Sequence, residues 1–224
     1  MPSTQSTPEP LPHDAAEGEL PWLRWVKALR SLAQAGLTYS EGPFDLERYA
    51  EIQSIAAEMA ATLSGAEIGV VRELFARAEG YETPKVDVRG VVFRGDELLL
   101  VRELSDGGRW TLPGGWADVN DRPSEAVERE VYEESGYRVR ATKLLAVHDR
   151  RLHGPRPPIP WGVYKLFFAC ELIGGAPASS IETGGAAFFA EHAVPELSAA
   201  RVTSEEIARL FAHHNHPEWP TDFD

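Results

Sequence analysis

Three carboxylates, Glu130, Glu133 and Glu134, stand at i, i+3 and i+4 in the run SEAVEREVYEES. On a helix that spacing sends all three side chains from one face. Like charges so close repel one another and would weaken the helix that carries them. A hard divalent cation removes the objection, because Mg²⁺ takes oxygen ligands and fills its remaining positions with water and phosphate oxygens. The chemistry on offer is therefore metal-assisted attack of water on a phosphorus. The plainer reading of a charge run is a solvated helix face. It loses ground because these acids follow a Gly-Gly turn, Gly114-Gly115, at a fixed distance.

The elements that must hold them are short and well signalled. Pro123 suits a first helical turn, where its missing N–H costs nothing, and Gly136 follows the acids where a helix should stop. A helix over residues 124–135 is predicted, launched from LPGGW.

Taken together, this stretch resembles the Nudix box, Gly-x5-Glu-x7-Arg-Glu-U-x-Glu-Glu-x-Gly-U with U apolar. The match starts at Gly115 and continues through Arg129, Glu130, Val131, Glu133, Glu134, Gly136 and Tyr137. Two positions depart from the pattern: Asp121 replaces the first Glu, and Tyr137 is aromatic. In the family the first acid pairs with the Arg and positions the helix, so Asp121 is expected to reach Arg129 across one methylene less, in a somewhat looser loop. The resemblance implies an α/β fold, a mixed-sheet α/β/α sandwich, and hydrolysis of a nucleoside diphosphate linked to another moiety. Glu130, Glu133 and Glu134, helped by a backbone carbonyl of the turn at Gly114, are then expected to bind Mg²⁺, with Mn²⁺ as a substitute. The general base is expected to be a box Glu or a Glu on a later loop, for which Glu182 in SSIETGG is the candidate, weighed evenly against a plain loop acid.

The rest of the substrate needs basic and aromatic partners. Arg102, Arg109, Arg150 and Arg151 flank the motif, and Arg102 is preferred for the diphosphate, with Arg151 beside the variable loop. Trp116, Trp161 and Tyr164 offer rings for stacking a base, though each is equally suited to a core. With the segments DVRGVVF, LLAVHDR, VYKLFFACELIGG and IETGGAAFF, the resemblance narrows to the Nudix subgroup typified by bacterial CDP-choline pyrophosphatase. That subgroup implies cleavage of CDP-choline to CMP and phosphocholine, homodimerisation, and action on RNA ends. ADP-ribose or a nucleotide sugar is the competing substrate class, because enzymes of one fold differ in their loops. A catalytically silent nucleotide sensor, or a scaffold whose helical module is the main business, stands as the alternative of another class.

Composition bounds these expectations. A net charge of −13 offers no broad basic surface for duplex nucleic acid. A single cysteine excludes an internal disulfide and suits a reducing cytosol, and no apolar run approaches a membrane span. Residues 1–19 read as a disordered leader, 20–82 as an N-terminal helical domain, 84–215 as the hydrolase domain and 216–224 as a tail. In the helical domain Trp22, Trp25, Val26, Leu29, Leu32 and Ala33 form one stripe, with Arg24, Lys27 and Arg30 away from it. Gly36 is expected to end that helix, and Asp45 to cap the next. A third helix is expected over 66–78. Strands are predicted over 86–93 and 97–103 around a Gly-Asp turn, then from 109, 138 and 161, and over 186–190, with a closing helix over 204–213. Cys170 reads as a small buried apolar residue, and His213, His214 and His216 as part of an exposed tail.

Overall fold

A computed structural model describes residues 20–76, 80–153, 159 and 161–224. Three helices come first: α1 (Pro21–Tyr39), α2 (Pro43–Ser64) and α3 (Ile68–Ala76). Proline opens α1 and α2 at the position that needs no donor, and Gly65 closes α2 in the left-handed conformation. Their core is small, built on Val26, Ala56, Ala57, Ala61, Val71 and Phe75. The expected end of the third helix at 78 lies outside the described residues.

Four expectations for this region are corrected. Gly36 lies inside α1, where a Cβ would meet the Tyr49 ring at 2.4 Å, so it serves close helix packing instead of termination. Gly42, not Asp45, holds the cap position of α2, and Asp45 sits in the first turn, where an acid favours the helix dipole. Arg30 is buried, bound to Glu82 at 2.5 Å and lying over the Phe75 ring. Trp25 and Leu32, assigned to the packed stripe, are 54% and 66% exposed. The stripe that packs runs through Leu23, Val26 and Ala33, which leaves Trp25 and Leu32, one heptad apart, on a second apolar stripe facing outward.

The second region alternates strands and helices. Strands β1 (Lys85–Arg94), β2 (Glu97–Glu103) and β3 (Arg109–Thr111) lead to α4 (Pro123–Ser135). Then follow β4 (Tyr137–Asp149), β5 (Val163–Gly175), β6 (Thr183–Ala190), α5 (Ser204–Asn215) and β7 (Asp222–Phe223). The mixed seven-stranded sheet runs β3-β2-β1-β5-β4-β7, with β6 pairing on β2. The β1–β5 and β4–β7 pairs are parallel, whereas β4–β5 and β2–β6 are antiparallel.

Each face of the sheet buries one helix. Val88, Val92, Leu99, Phe168 and Cys170 meet Ala126, Val127 and Val131 of α4. Val91, Leu98, Leu100, Leu145 and Phe167 meet Ile207, Leu210 and Phe211 of α5. This is the α/β/α sandwich, and its side-chain alternation follows from the two-residue period of a strand. Cys170 is a core residue as expected, its thiol pushed up to about 12 by burial.

The histidine segment differs from its expectation. His213 is buried and its Nε2 lies 2.9 Å from Asp222, which also accepts from Arg209. His214 stacks on Phe93, and residues 222–223 form a strand against β4. An acid does meet a histidine here, as an anchor for the end of the sheet.

Candidate active site

The site is built where the turn at 113–115 lies along β1. The carbonyls of Pro113 and Gly115 accept from the N–H groups of Gly90 and Val88, each at 2.8 Å, and the Gly114 carbonyl takes no part in either bond. Gly114 has φ +140°, and a Cβ there would come 2.0 Å from the Val88 oxygen, so only glycine fits. Its N–H donates to Oε2 of Glu134 at 2.8 Å, tying the turn to the acidic helix. At the same end of α4 the Thr183 hydroxyl donates to the Glu134 carbonyl at 2.6 Å, so β6 and the turn at 113–115 are fixed to one residue.

Glu130, Glu133 and Glu134 line one cavity of about 840 Å³ together with Gly114, Gly115, Trp116, Asp118 and Glu182. Arg89, Glu103, Ser105 and Arg201 complete the wall. Glu134 is 8% exposed, and burial raises its carboxyl to about 7 against the opposing pull of the Gly114 N–H and Arg89. Burial also raises Glu130, with Arg129 working the other way. The Arg129 guanidinium reaches Asp121 through Nε at 3.3 Å and Nη2 at 3.1 Å, and Glu130 and Glu133 through Nη1 at 2.8 and 3.2 Å. Burial works against its charge, but the bonds to Asp121 and Glu130 overcome that and hold Arg129 above the usual guanidinium range. The shorter Asp121 therefore does span the gap.

A divalent ion fits this donor set by its chemistry. All the donors are hard oxygens, and burial makes two of the carboxylates reluctant anions, a condition that a shared cation relieves. Among the described residues no three such side chains are already drawn together as ligands. Arg129 binds Glu130 and Glu133, and the turn binds Glu134.

Residues 83–217 match the NUDIX domain, and residues 21–75 match the UDP-X-like N-terminal oligomerisation domain of Nudix proteins. The chain belongs to the Nudix family. It is a Nudix hydrolase, of the kind that acts on a diphosphate bond.

A Bacillus subtilis protein, YjhB, whose name assigns it as a candidate ADP-ribose pyrophosphatase, is 44% identical over 203 residues. That alignment covers 91% of this chain and 97% of the relative. The crystal structure of an ADP-ribose pyrophosphatase from Streptococcus suis superposes with a TM-score of 0.58 at 37% identity, over 63% of this chain and all of that one. The crystal structure of a UDP-X diphosphatase matches at 29% identity and TM-score 0.58, over 91% of this chain and 98% of its own.

Of the expected site residues, Glu130, Glu133, Glu134, Gly114, Trp116 and Glu182 line this cavity, with Arg129 beside them. Arg102, Arg151 and Trp161 do not line this cavity. Arg102 turns to the 105–108 turn and donates to the Gly108 carbonyl, because strand alternation sends Glu103 inward in its place. Arg151 binds Asp149 at 2.9 Å, and the half-buried Trp161 has Lys85 over its ring. Two arginines not foreseen do face the cavity. Arg89 donates twice to Asp87, at 2.9 and 3.2 Å, and once to the Leu112 carbonyl. Asp-x-Arg inside an apolar strand was a usable signal, since i and i+2 share a face. Arg201, far along the chain, left no local trace.

Proposed function

We propose that this Nudix hydrolase cleaves ADP-ribose, or a nucleoside diphosphate sugar close to it, into a nucleoside monophosphate and a sugar phosphate. The observation that carries the reading is the gathering of Glu130, Glu133, Glu134 and Gly114 in one cavity whose volume suits a nucleoside diphosphate. The sugar-nucleotide preference rests on likeness over nearly the whole chain to a candidate ADP-ribose pyrophosphatase and to a UDP-X diphosphatase. Glu130, Glu133, Glu134 and the Gly114 carbonyl would hold Mg²⁺, or Mn²⁺ in its place. When bound there, such an ion neutralises phosphate charge and lowers the pKa of a bound water.

The protein's own groups do the rest. Glu134 and Glu182, which line the same cavity, are the candidates for taking the proton from the attacking water. Arg129 orients the acidic face of α4 through Asp121, Glu130 and Glu133. Trp116, half exposed in the cavity wall, is placed for stacking.

CDP-choline is the second reading. It rests on the sequence resemblance of the segments around the motif to the CDP-choline pyrophosphatase subgroup. The outward stripe of Trp25 and Leu32, with Tyr39 and Phe44 also exposed, supports homodimerisation through the helices. Among the described residues no helix is long and apolar enough to cross a membrane.

The test is a substrate panel of ADP-ribose, UDP-sugars, CDP-choline, NADH, diadenosine polyphosphates and 5′-capped RNA, with Mg²⁺ and with Mn²⁺. Release of AMP and ribose phosphate from ADP-ribose as the fastest reaction is the expected result. CDP-choline turned over faster would replace the first reading with the second. No turnover of any compound, with either metal, would leave the nucleotide sensor or the scaffold.

A further inference from the structure

A diphosphate entering this cavity meets acids on nearly every side. Two guanidinium groups face it, Arg89 and Arg201. Arg89 is buried and committed to both oxygens of Asp87 and to the Leu112 carbonyl. Arg201 is different: its side chain keeps 29% of its surface exposed. Its Nε lies 3.2 Å from Oε2 of Glu103, its Nη1 donates to the Ser198 hydroxyl at 3.2 Å, and its Nη2 donates to the Ser105 hydroxyl at 3.0 Å. A guanidinium has five N–H donors in a fixed fork, so among the described residues one on each Nη is left. That pair suits two oxygens of a phosphate.

Arg201 is also held at its backbone. The Lys165 ammonium donates to the Arg201 carbonyl at 2.6 Å and to both oxygens of Glu206 at 2.8 and 3.1 Å. Lys165 and Glu206 are 1% and 2% exposed, an ion pair joining β5 to α5 beneath the turn that presents Arg201. Glu206 closes the arrangement by accepting from the Thr203 N–H at 2.9 Å, as part of the capping box of α5. Taking both charges out of water is costly, and a buried pair of this kind is weak as a source of stability. Here it fixes the turn from which a cavity cation projects.

We propose that Arg201 is the cavity's diphosphate-binding cation, oriented by Glu103 and positioned by the buried Lys165–Glu206 pair. The inference rests on the reading of the cavity as a nucleoside-diphosphate site. In the cavity wall Arg201 offers the phosphate oxygens a cation with donors to spare, where Arg89 is spent on Asp87 and Leu112. Glu103 holds the guanidinium plane open towards the cavity, and Lys165 and Glu206 act through Arg201 without touching the substrate.

The experiment measures calorimetric binding of ADP in the presence of Mg²⁺, binding of Mg²⁺ alone, and kcat and KM on the best compound of the panel. It uses the full chain and its Arg201→Ala and Arg201→Gln variants, with melting curves to confirm folding. Loss of a charge-assisted pair predicts ADP binding weaker by about 10- to 100-fold, with KM rising more than kcat falls and Mg²⁺ binding unchanged. Gln keeps the aliphatic stem and a polar end but removes the charge, so it answers the question should Ala unfold the turn. ADP binding within twofold of the natural chain in either folded variant overturns the assignment. Lys165→Met, or Lys165→Met with Glu206→Leu if the single change unfolds the protein, should raise KM several-fold with little change in kcat. An unchanged KM there removes the buried pair from the proposal. A natural chain that neither binds ADP nor turns over any compound removes the site reading itself, whereas turnover with indifferent Arg201 variants removes this assignment alone.

Discussion

Replacing Glu134 by Gln should stabilise the metal-free protein while abolishing most turnover. Burial raises the Glu134 carboxyl to about 7 from an ordinary 4.5, and at about 1.4 kcal/mol per tenfold this places a penalty of about 3 kcal/mol on the anion. The folded state thus holds the proton more tightly than the unfolded chain. Stability from this group is complete below about pH 4.5, drains away as pH rises towards 7, and levels off above. Gln keeps an oxygen to accept from the Gly114 N–H and carries no charge. At pH 8 with chelator, Glu134→Gln should therefore exceed the natural protein by up to about 3 kcal/mol, or about 6–12 °C in melting temperature for a chain of this size. At pH 5 the two should nearly coincide. Added Mg²⁺ should raise the natural protein more than the variant. Parallel melting profiles of the two proteins from pH 5 to pH 8 would refute the reasoning, because they would show that the buried carboxyl carries no such penalty.

Three other perturbations follow from the packing. Gly114→Ala forces a Cβ to within 2.0 Å of the Val88 oxygen, so it should displace the turn and cut kcat by at least about tenfold; steady-state kinetics on ADP-ribose check this. Cys170, buried with its thiol pushed up to about 12, should resist thiol reagents in the folded protein and react at once in denaturant, as a chromogenic disulfide would show. Trp25→Asp with Leu32→Asp places two charges on the outward stripe of α1, and sedimentation should show a homodimer giving way to monomer with catalysis per chain preserved.

The acidic helix was legible because its signals are local. Pro123, three acids at helical spacing and Gly136 fall within fourteen residues, and the turn before them needs glycine for reasons of space. The sandwich was legible because strand alternation serves two different helices on two faces. What escaped notice depends on partners distant in sequence. Glu103 and Arg201 meet across 98 residues, and which neighbour on β2 points inward is settled by the register with β6, not by charge. In α1 two apolar stripes compete, and the small α2 face of Ala56, Ala57 and Ala61 selects the one through Val26 and Ala33, which leaves the tryptophan-bearing stripe outside. The histidine segment was misplaced for a similar reason, since a two-residue strand has no periodicity to recognise.

That short strand has a bearing on how the protein can be handled. β4 lies at the flank of the sheet, and Asp222–Phe223 lies along part of its open border, pinned by Arg209, His213 and the Thr221 hydroxyl on the Leu144 carbonyl. Lys143 reaches the same segment through the carbonyls of Pro217 and Trp219. A chain shortened after residue 216 would bare backbone donors and acceptors that any neighbouring molecule could zip onto. Such a protein would keep every group around the phosphates and still be prone to self-association in the test tube.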